Sequence, residues 1–215
     1  MDSLFFIESL FPLIDLLRII SLKDNVQKHI EKDCIEILDI LLSINEKNLT
    51  NTRLVLRVLC NLFTAYDNKI ENLTKYLIDN RIQLLMKLTK CFTIENIDKN
   101  FQISFGTLIL NYSVLFNKLS VEKNSEKELI ETMKIELLHY ICGELLNSSF
   151  YNWDSEAVFR IIVSIGTLTC DDPYLTTIAK SIVDLKKFFL KLESQKEKNL
   201  DKVNACVGYL KDMII

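Results

Sequence analysis

The sequence predicts an all-α protein, a succession of helices in which each helical hairpin packs on the one before, as in a solenoid. Apolar residues recur with the 3.6-residue period of an α-helix along nearly the whole chain. The 215 residues include only four glycines and two prolines, too few turn-forming residues for the short strands of a sandwich or barrel. A hydrophobic share of 49% beside a charged share of 26% is ordinary for a soluble fold with a sizeable core.

Two helices are predicted at the amino-terminal end. Pro12 suits the first turn of a helix that ends near Leu22, and Asp15 and Arg18 form an i,i+3 pair on it. Asp24 is placed to cap the second helix. The apolar face of that second helix consists of Ile30, Cys34, Ile37, Leu38 and Leu41.

The middle and end of the chain continue the helical pattern. Apolar periodicity predicts helices over residues 52–66, 68–78, 80–92, 97–119 and 127–146. Asp154 or Ser155 caps a helix that ends near residue 170, and Asp171, Asp172 and Pro173 open another that ends near residue 192. The last helix, over residues 197–214, spaces its apolar residues at Leu200, Val203, Val207, Leu210 and Ile214. Because no strict sequence period is present, the repeats of the array are expected to be degenerate.

Charge and cysteine usage exclude several classes of function. The net charge of −3 provides no basic footprint, so no nucleic-acid partner is expected. No apolar run is long enough to span a membrane, and an acidic residue stands where a secretory signal would be basic. The six cysteines lie 26 to 51 residues apart without metal-ligand spacing, which is typical of reduced thiols in the cytosol. No metal and no cofactor are expected.

Three otherwise apolar helices each carry a narrow stripe of polar side chains. In LVLRVLCNLF (residues 54–63), Arg57 lies one turn from both Arg53 and Asn61, because residues four apart share a helix face. The other two stripes consist of Asn100, Ser104, Thr107 and Asn111, and of Glu156, Arg160, Ser164 and Thr167. If these are consecutive inner helices of a solenoid, the stripes line a concave groove that suits an extended peptide.

The arginines in these stripes have two interpretations. An arginine that leaves water needs a partner, because an unpaired buried charge costs several kcal/mol. That partner is either a ligand in the groove or an internal acid, such as Asp15 for Arg57 or Glu156 for Arg160. In the second case the arginines only hold helices in register. The residue pattern alone leads to a helical array with a partly cationic groove and leaves both interpretations open.

Four segments resemble, in order, the helices of the PUL domain. They are FPLIDLLRI, LVLRVLCNLF, NFQISFGTLILNYSVLF and FRIIVSIGTL. The elements LRxLxNxF, QIxxxTLxLNY and FRxxVxxGTL are distinctive as an ordered set. The resemblance spans nearly the whole chain and implies a single armadillo-like domain over residues 1–215, expected to be excised from a longer protein. Gly106 departs from the alanine expected at its position, and this substitution would ease close helix packing.

The resemblance also implies a function. PUL domains bind the acidic carboxyl-terminal tail of the hexameric AAA ATPase valosin-containing protein, in ubiquitin-dependent degradation and ubiquitin homeostasis. The resemblance makes Arg57 and Arg160 the candidates for the tail carboxylates. The remaining candidates are Arg53 and Asn61 on the stripe of Arg57, Asn111 on the stripe of residues 100–111, and Tyr112, which follows Asn111 in the chain. Of these, the two asparagines would hold the peptide backbone, and Tyr112 has the weaker claim because it also suits packing.

Further expectations follow from the same resemblance. The WD-repeat propeller and the ubiquitin-binding module of the family are not in this sequence, so direct ubiquitin binding is not expected. The expected location is cytoplasmic, with the nucleus as a second compartment. Two alternatives stay open: a generic helical scaffold for another protein partner, and a module attached to a cysteine hydrolase. His139 and Cys142 lie one helical turn apart, but no third residue orients them, so catalysis is not expected.

Overall fold

A computed structural model of the chain describes residues 11–31, 33, 36, 49–90, 98–122, 124–145, 153–182, 205 and 208. The chain forms two units, Met1–Ser104 and Phe105–Ile215. The prediction of a single domain over residues 1–215 stays a prediction, as does the concave groove.

The first unit is built from helices joined by short turns. Its α-helices are α1 (Phe11–Ile20), α2 (Leu49–Leu62), α3 (Thr64–Asp67), α4 (Glu71–Asp79) and α5 (Arg81–Thr89). Residues 24–31 are helical as well. The long helix α6 (Lys99–Glu122) begins in this unit and contains the boundary between the units.

Helix α2 is the core helix of the first unit, and α1 packs along it. Its buried residues are Asn51, Thr52, Leu54, Val55, Leu56, Val58, Leu59 and Leu62. Ile14 supplies the buried contact from α1. Only Arg53, Arg57, Cys60 and Asn61 of residues 51–62 are half-buried rather than buried. The sequence pattern therefore predicts the observed helix well, because a helix that is apolar on most sides must bury most of its circumference.

The second unit continues with the rest of α6 and with three further α-helices. These are α7 (Lys127–His139), α8 (Ser155–Thr169) and α9 (Pro173–Ile182). A short 3₁₀ helix, Asn124–Glu126, precedes α7, and a π-helical segment, Tyr140–Leu145, follows it. Helix α9 packs on both α7 and α8. The core includes the edge-to-face ring pair of Phe105 and Trp153, whose centroids lie 6.1 Å apart.

The turns show why the helices begin where they do. Asp154 caps α8, because its carboxylate accepts a hydrogen bond from the Glu156 backbone N–H at 3.0 Å. Asp172 caps α9 in the same way, accepting at 3.0 Å from the Leu175 N–H, and Pro173 occupies the first helical position. These capping predictions are confirmed.

Two other turn residues have backbone conformations that L-amino acids rarely adopt. Lys69 and Asp171 each have φ of 56° although neither is glycine. Lys69 ends the turn between α3 and α4, so α4 begins at Glu71 rather than near residue 68. Asp24, predicted to cap the helix of residues 24–31, instead accepts a hydrogen bond from the Asn68 side-chain amide at 2.9 Å.

The predicted all-α helical-repeat fold is confirmed: every element in the described ranges is helical, and successive helices pack on one another. The predicted helix over residues 127–146 changes to π-helical geometry at Tyr140. Of the predicted helix over residues 197–214, the structure describes residues 205 and 208, and both are helical. Most of the apolar face of the second helix lies outside the described residues. Among the described helices, none combines the length and apolar character that crossing a membrane requires.

Candidate functional site

Arg57 is a half-buried cation without a carboxylate partner among the described residues. Its Nε donates a long hydrogen bond of 3.4 Å to the hydroxyl of Ser104, near the start of α6. Asp15, the internal acid proposed for it, is bound instead to Arg18, whose Nε lies 2.8 Å from the carboxylate. A hydroxyl satisfies one N–H but neutralises no charge, so the guanidinium of Arg57 keeps its positive charge uncompensated within the described part of the fold.

Arg53 lies one turn before Arg57 on the same face of α2. Its NH1 is 2.9 Å from a carboxylate oxygen of Asp98, and the two side chains are 24% and 40% exposed. The buried Nε of Arg53 has no hydrogen-bond partner in the described ranges. Of the two arginines on this face, only Arg53 has a carboxylate partner among the described residues. Arg53, Arg57 and Asp98 together carry a net charge of about +1.

Asn61, at the other end of the same stripe, is tied to the end of α1. Its side-chain amide donates at 2.7 Å to the Arg18 carbonyl oxygen and at 3.4 Å to the Ser21 hydroxyl. Together with the Ser21 hydroxyl, which donates to the same carbonyl at 2.9 Å, Asn61 satisfies an oxygen at the end of α1 that no further helical turn satisfies. The prediction that the amide of Asn61 holds a peptide backbone is therefore restricted to its side-chain oxygen, since the nitrogen is already used.

A buried polar cluster continues from this point. Gln27 has no exposed surface, and its amide donates to the Ser21 carbonyl at 2.7 Å and to the Thr64 hydroxyl at 2.6 Å. Its side-chain oxygen accepts from the Asn68 amide at 2.9 Å. These hydrogen bonds join the helix of residues 24–31 to the turn after α1 and to the helix that follows α2. Sequence spacing did not predict them, because the partners lie far apart in the chain.

In the second unit, Arg160 has the internal partner that the alternative interpretation requires. Both its Nε and its NH2 lie 3.1 Å from one carboxylate oxygen of Glu156, four residues earlier on α8. Its NH1 donates to the Thr107 hydroxyl on α6. All three guanidinium nitrogens are therefore engaged, although the Arg160 and Glu156 side chains remain 28% and 37% exposed.

Gly106 allows this contact between α6 and α8. A Cβ atom at Gly106 would lie 3.1 Å from the Ala157 carbonyl oxygen and 3.3 Å from the Cβ of Arg160. Both distances are shorter than ordinary van der Waals contacts. The glycine that replaces the expected alanine therefore permits the close approach, as the sequence predicts.

The two remaining candidates lie next to each other on α6 in different environments. Asn111 is half-buried. Tyr112 has no exposed surface, and its ring lies 5.9 Å from that of Phe116. A side chain without exposed surface is typical of a packing residue, which is the other role that the sequence allows for Tyr112. Its assignment as a peptide contact stays a prediction.

The geometry of His139 and Cys142 differs from that of a nucleophile and its base; attachment to a cysteine hydrolase is a separate alternative and stays open. Burial raises the pKa of the Cys142 thiol to about 12, whereas a nucleophilic cysteine needs a thiolate near neutral pH. Cys142 lies in the π-helical segment and is fully buried, while His139 is exposed. Cys142 and Cys170 are free thiols.

Comparisons with known proteins find one family model and a curated relative that match this chain over most of its length. The model of the PUL domain family matches residues 7–209. The phospholipase A-2-activating protein of Xenopus laevis is 29% identical over 214 residues, an alignment that covers 95% of this chain. The same alignment covers 23% of that protein, so the chain spans less than a quarter of the length of this relative.

Proposed function

The chain belongs to the PUL domain family of protein-interaction modules, and we propose that it binds the acidic carboxyl-terminal tail of the AAA ATPase valosin-containing protein. Family membership makes it an adaptor domain rather than a member of a catalytic family. The particular partner and the residues that bind it are our proposal. We also propose that it has no enzymatic activity of its own.

The observation that supports this proposal is the charge of Arg57. Its guanidinium is half-buried, donates to one hydroxyl and has no acid beside it within the described residues. Partial burial weakens the competition from water, and a planar guanidinium can grip a carboxylate through two parallel N–H groups. An acidic peptide therefore supplies the negative charge that this part of the fold lacks.

The other candidates take subordinate parts in the proposal. Arg53 adds positive charge one turn away, although Asp98 neutralises part of it. Asn61 offers its side-chain oxygen to a peptide N–H. In the second unit, Asn111 stays a candidate for backbone contact. Arg160 would bind a tail carboxylate only after releasing the carboxylate of Glu156.

The cellular role proposed here follows from the partner. A module that recruits this ATPase would act in ubiquitin-dependent degradation and ubiquitin homeostasis, in the cytoplasm and the nucleus. No direct contact with ubiquitin is proposed for it.

Titration calorimetry with a synthetic tail peptide tests the proposal. We expect binding at roughly micromolar strength, about −8 kcal/mol. We also expect the affinity to fall as salt rises, because the attraction is partly ionic. The matched control is the same peptide with each acidic side chain replaced by its amide, which should bind far more weakly. Equal affinity for the two peptides, or no binding of the acidic one, would refute the proposal and favour a scaffold for another partner.

A further inference from the structure

We propose that Ser104 is a positioning residue that orients the guanidinium of Arg57 for end-on binding of a carboxylate. The inference rests on the proposed function, because it concerns the same anion-binding arginine. It goes further by assigning a role to a residue on a different helix and by fixing the geometry in which the acid binds.

The hydrogen bonds of Ser104 leave its hydroxyl able to accept from Arg57. Ser104 is 7% exposed, and its Oγ donates at 2.8 Å to the Asn100 carbonyl one turn earlier. Since the hydroxyl proton is used there, the oxygen lone pairs face other donors, and Arg57 Nε approaches at 3.4 Å. The thiol of Cys60 donates to the Ser104 carbonyl, also at 3.4 Å, and links the same residue to α2 a second time.

This contact selects one edge of the guanidinium. Engaging Nε removes the side edge, formed by Nε and one terminal nitrogen, from use by a ligand. NH1 and NH2 remain, and they have no partner in the described ranges. Their two N–H groups are parallel and match the two oxygens of one carboxylate. Arg57 is therefore set to take an acid end-on.

Arg160 shows the opposite arrangement. Its Nε and NH2 take the side-on carboxylate of Glu156, and its NH1 is bound to Thr107. Both arginines donate to a hydroxyl on α6, so the contrast lies in the nitrogen that each hydroxyl engages and in the carboxylate beside it. Ser104 holds Arg57 by Nε without neutralising its charge. Lysine has neither an Nε–H nor the two parallel N–H groups of a guanidinium, so the Arg57→Lys variant should not bind a carboxylate end-on.

The test measures affinity for the acidic tail peptide in Ser104→Ala and its matched control, Ser113→Ala. Ser113 lies on the same helix, has no exposed surface and donates at 3.1 Å to the Ile109 carbonyl, so its loss removes an equivalent buried hydroxyl. We expect Ser104→Ala to weaken binding about three- to tenfold, the equivalent of one hydrogen bond, and Ser113→Ala to leave it unchanged. Ser104→Thr, which keeps the hydroxyl, should bind like the parent protein.

A double variant separates positioning from general damage to the fold. If Ser104 acts through Arg57, Ser104→Ala should cost no further affinity in an Arg57→Ala background. An equal loss in both backgrounds would overturn the inference, and so would parent-like binding by Ser104→Ala while Arg57→Ala binds poorly. That second result would leave the proposed function standing. Failure of the parent protein to bind the peptide would refute both.

Discussion

Arg57 on α2 and Arg160 on α8 occupy the same kind of sequence position but different electrostatic environments. Each stands in the polar stripe of a helix that is otherwise apolar, and each donates to a hydroxyl on α6. Arg160 has an acid four residues before it, and Glu156 fills the side edge of its guanidinium. At the corresponding position before Arg57 stands Arg53, a second cation, so no local acid competes for Arg57.

In these two helices, the residue four positions before the arginine determines whether the guanidinium is paired on its own helix. An acid at that position gives a pair on one helix face and a largely structural arginine. A cation at that position leaves the arginine available to a ligand and increases the positive potential around its guanidinium. The comparison ranks the two candidate residues, which sequence resemblance alone treated as equivalent.

The largest expected effect is that of Arg57→Ala on peptide binding. Loss of a charge-assisted contact should cost on the order of 1.5–3 kcal/mol, or roughly ten- to a hundredfold in affinity for the acidic tail peptide. Because no described acid loses its partner, the free energy of unfolding should change by less than about 1 kcal/mol. Calorimetry and thermal melting on the same preparation measure both quantities. Intact binding beside a large drop in melting temperature would reverse the ranking.

Next in size is the effect of filling the contact beside Arg160. We expect Gly106→Ala to destabilise the protein by about 1 kcal/mol. The new methyl group presses on the Ala157 carbonyl, and this overpacking exceeds the gain in helix propensity. Gly143→Ala is the control and should be neutral or stabilising, since its Cβ would meet no described atom closer than Ile182 at 4.0 Å. Urea unfolding measures the free energy of unfolding of both variants. A Gly106→Ala variant that is more stable than the parent protein would mean that α6 and α8 can move apart at little cost, and would contradict the prediction.

A smaller effect is expected from Arg160→Ala. The pair with Glu156 is more than a quarter exposed, so solvent screening limits its contribution to stability to about 1 kcal/mol or less. Peptide affinity should fall by much less than in Arg57→Ala, because Arg160 must first release Glu156. The ratio of the two losses in affinity is the measurement. A loss for Arg160→Ala that equals or exceeds that for Arg57→Ala would contradict the comparison.

The smallest expected effect is a gain. Glu156→Gln keeps the size of the side chain and removes the competing charge, so affinity for the acidic peptide should rise by about two- to threefold, the scale of an exposed ion pair. The salt dependence of binding should also become steeper. Asp15→Asn, which frees Arg18 in the same manner, is the matched control. No change for Glu156→Gln would leave Arg160 a purely structural residue.

The sequence predicted most of the described fold because helix formation depends on nearby residues. The 3.6-residue period located α2, α6 and α8, and aspartate side chains marked the starts of α8 and α9. The predicted start of α4 was wrong. The turn before it places Lys69 in a left-handed backbone conformation that usually requires glycine, so the sequence carries no glycine to mark the turn.

The candidate site was predictable only where its contacts are local. The pair of Asp15 and Arg18 follows from their spacing on one helix and is observed at 2.8 Å. The contact of Arg57 with Ser104 joins residues 47 apart in the chain, which periodicity cannot pair. Ser104 did stand in a predicted polar stripe, so the signal was present, but its partner depended on how the helices pack.

The positive φ angles of Lys69 and Asp171 offer a route for engineering. Each residue holds a left-handed backbone conformation that costs an L-amino acid roughly 1 kcal/mol and costs glycine little. The two turns lie in different units and outside the polar stripes. Introducing glycine at both positions would therefore raise the melting temperature while leaving the arginines untouched. Such a stabilised background would let binding defects be measured on variants that otherwise unfold at the working temperature.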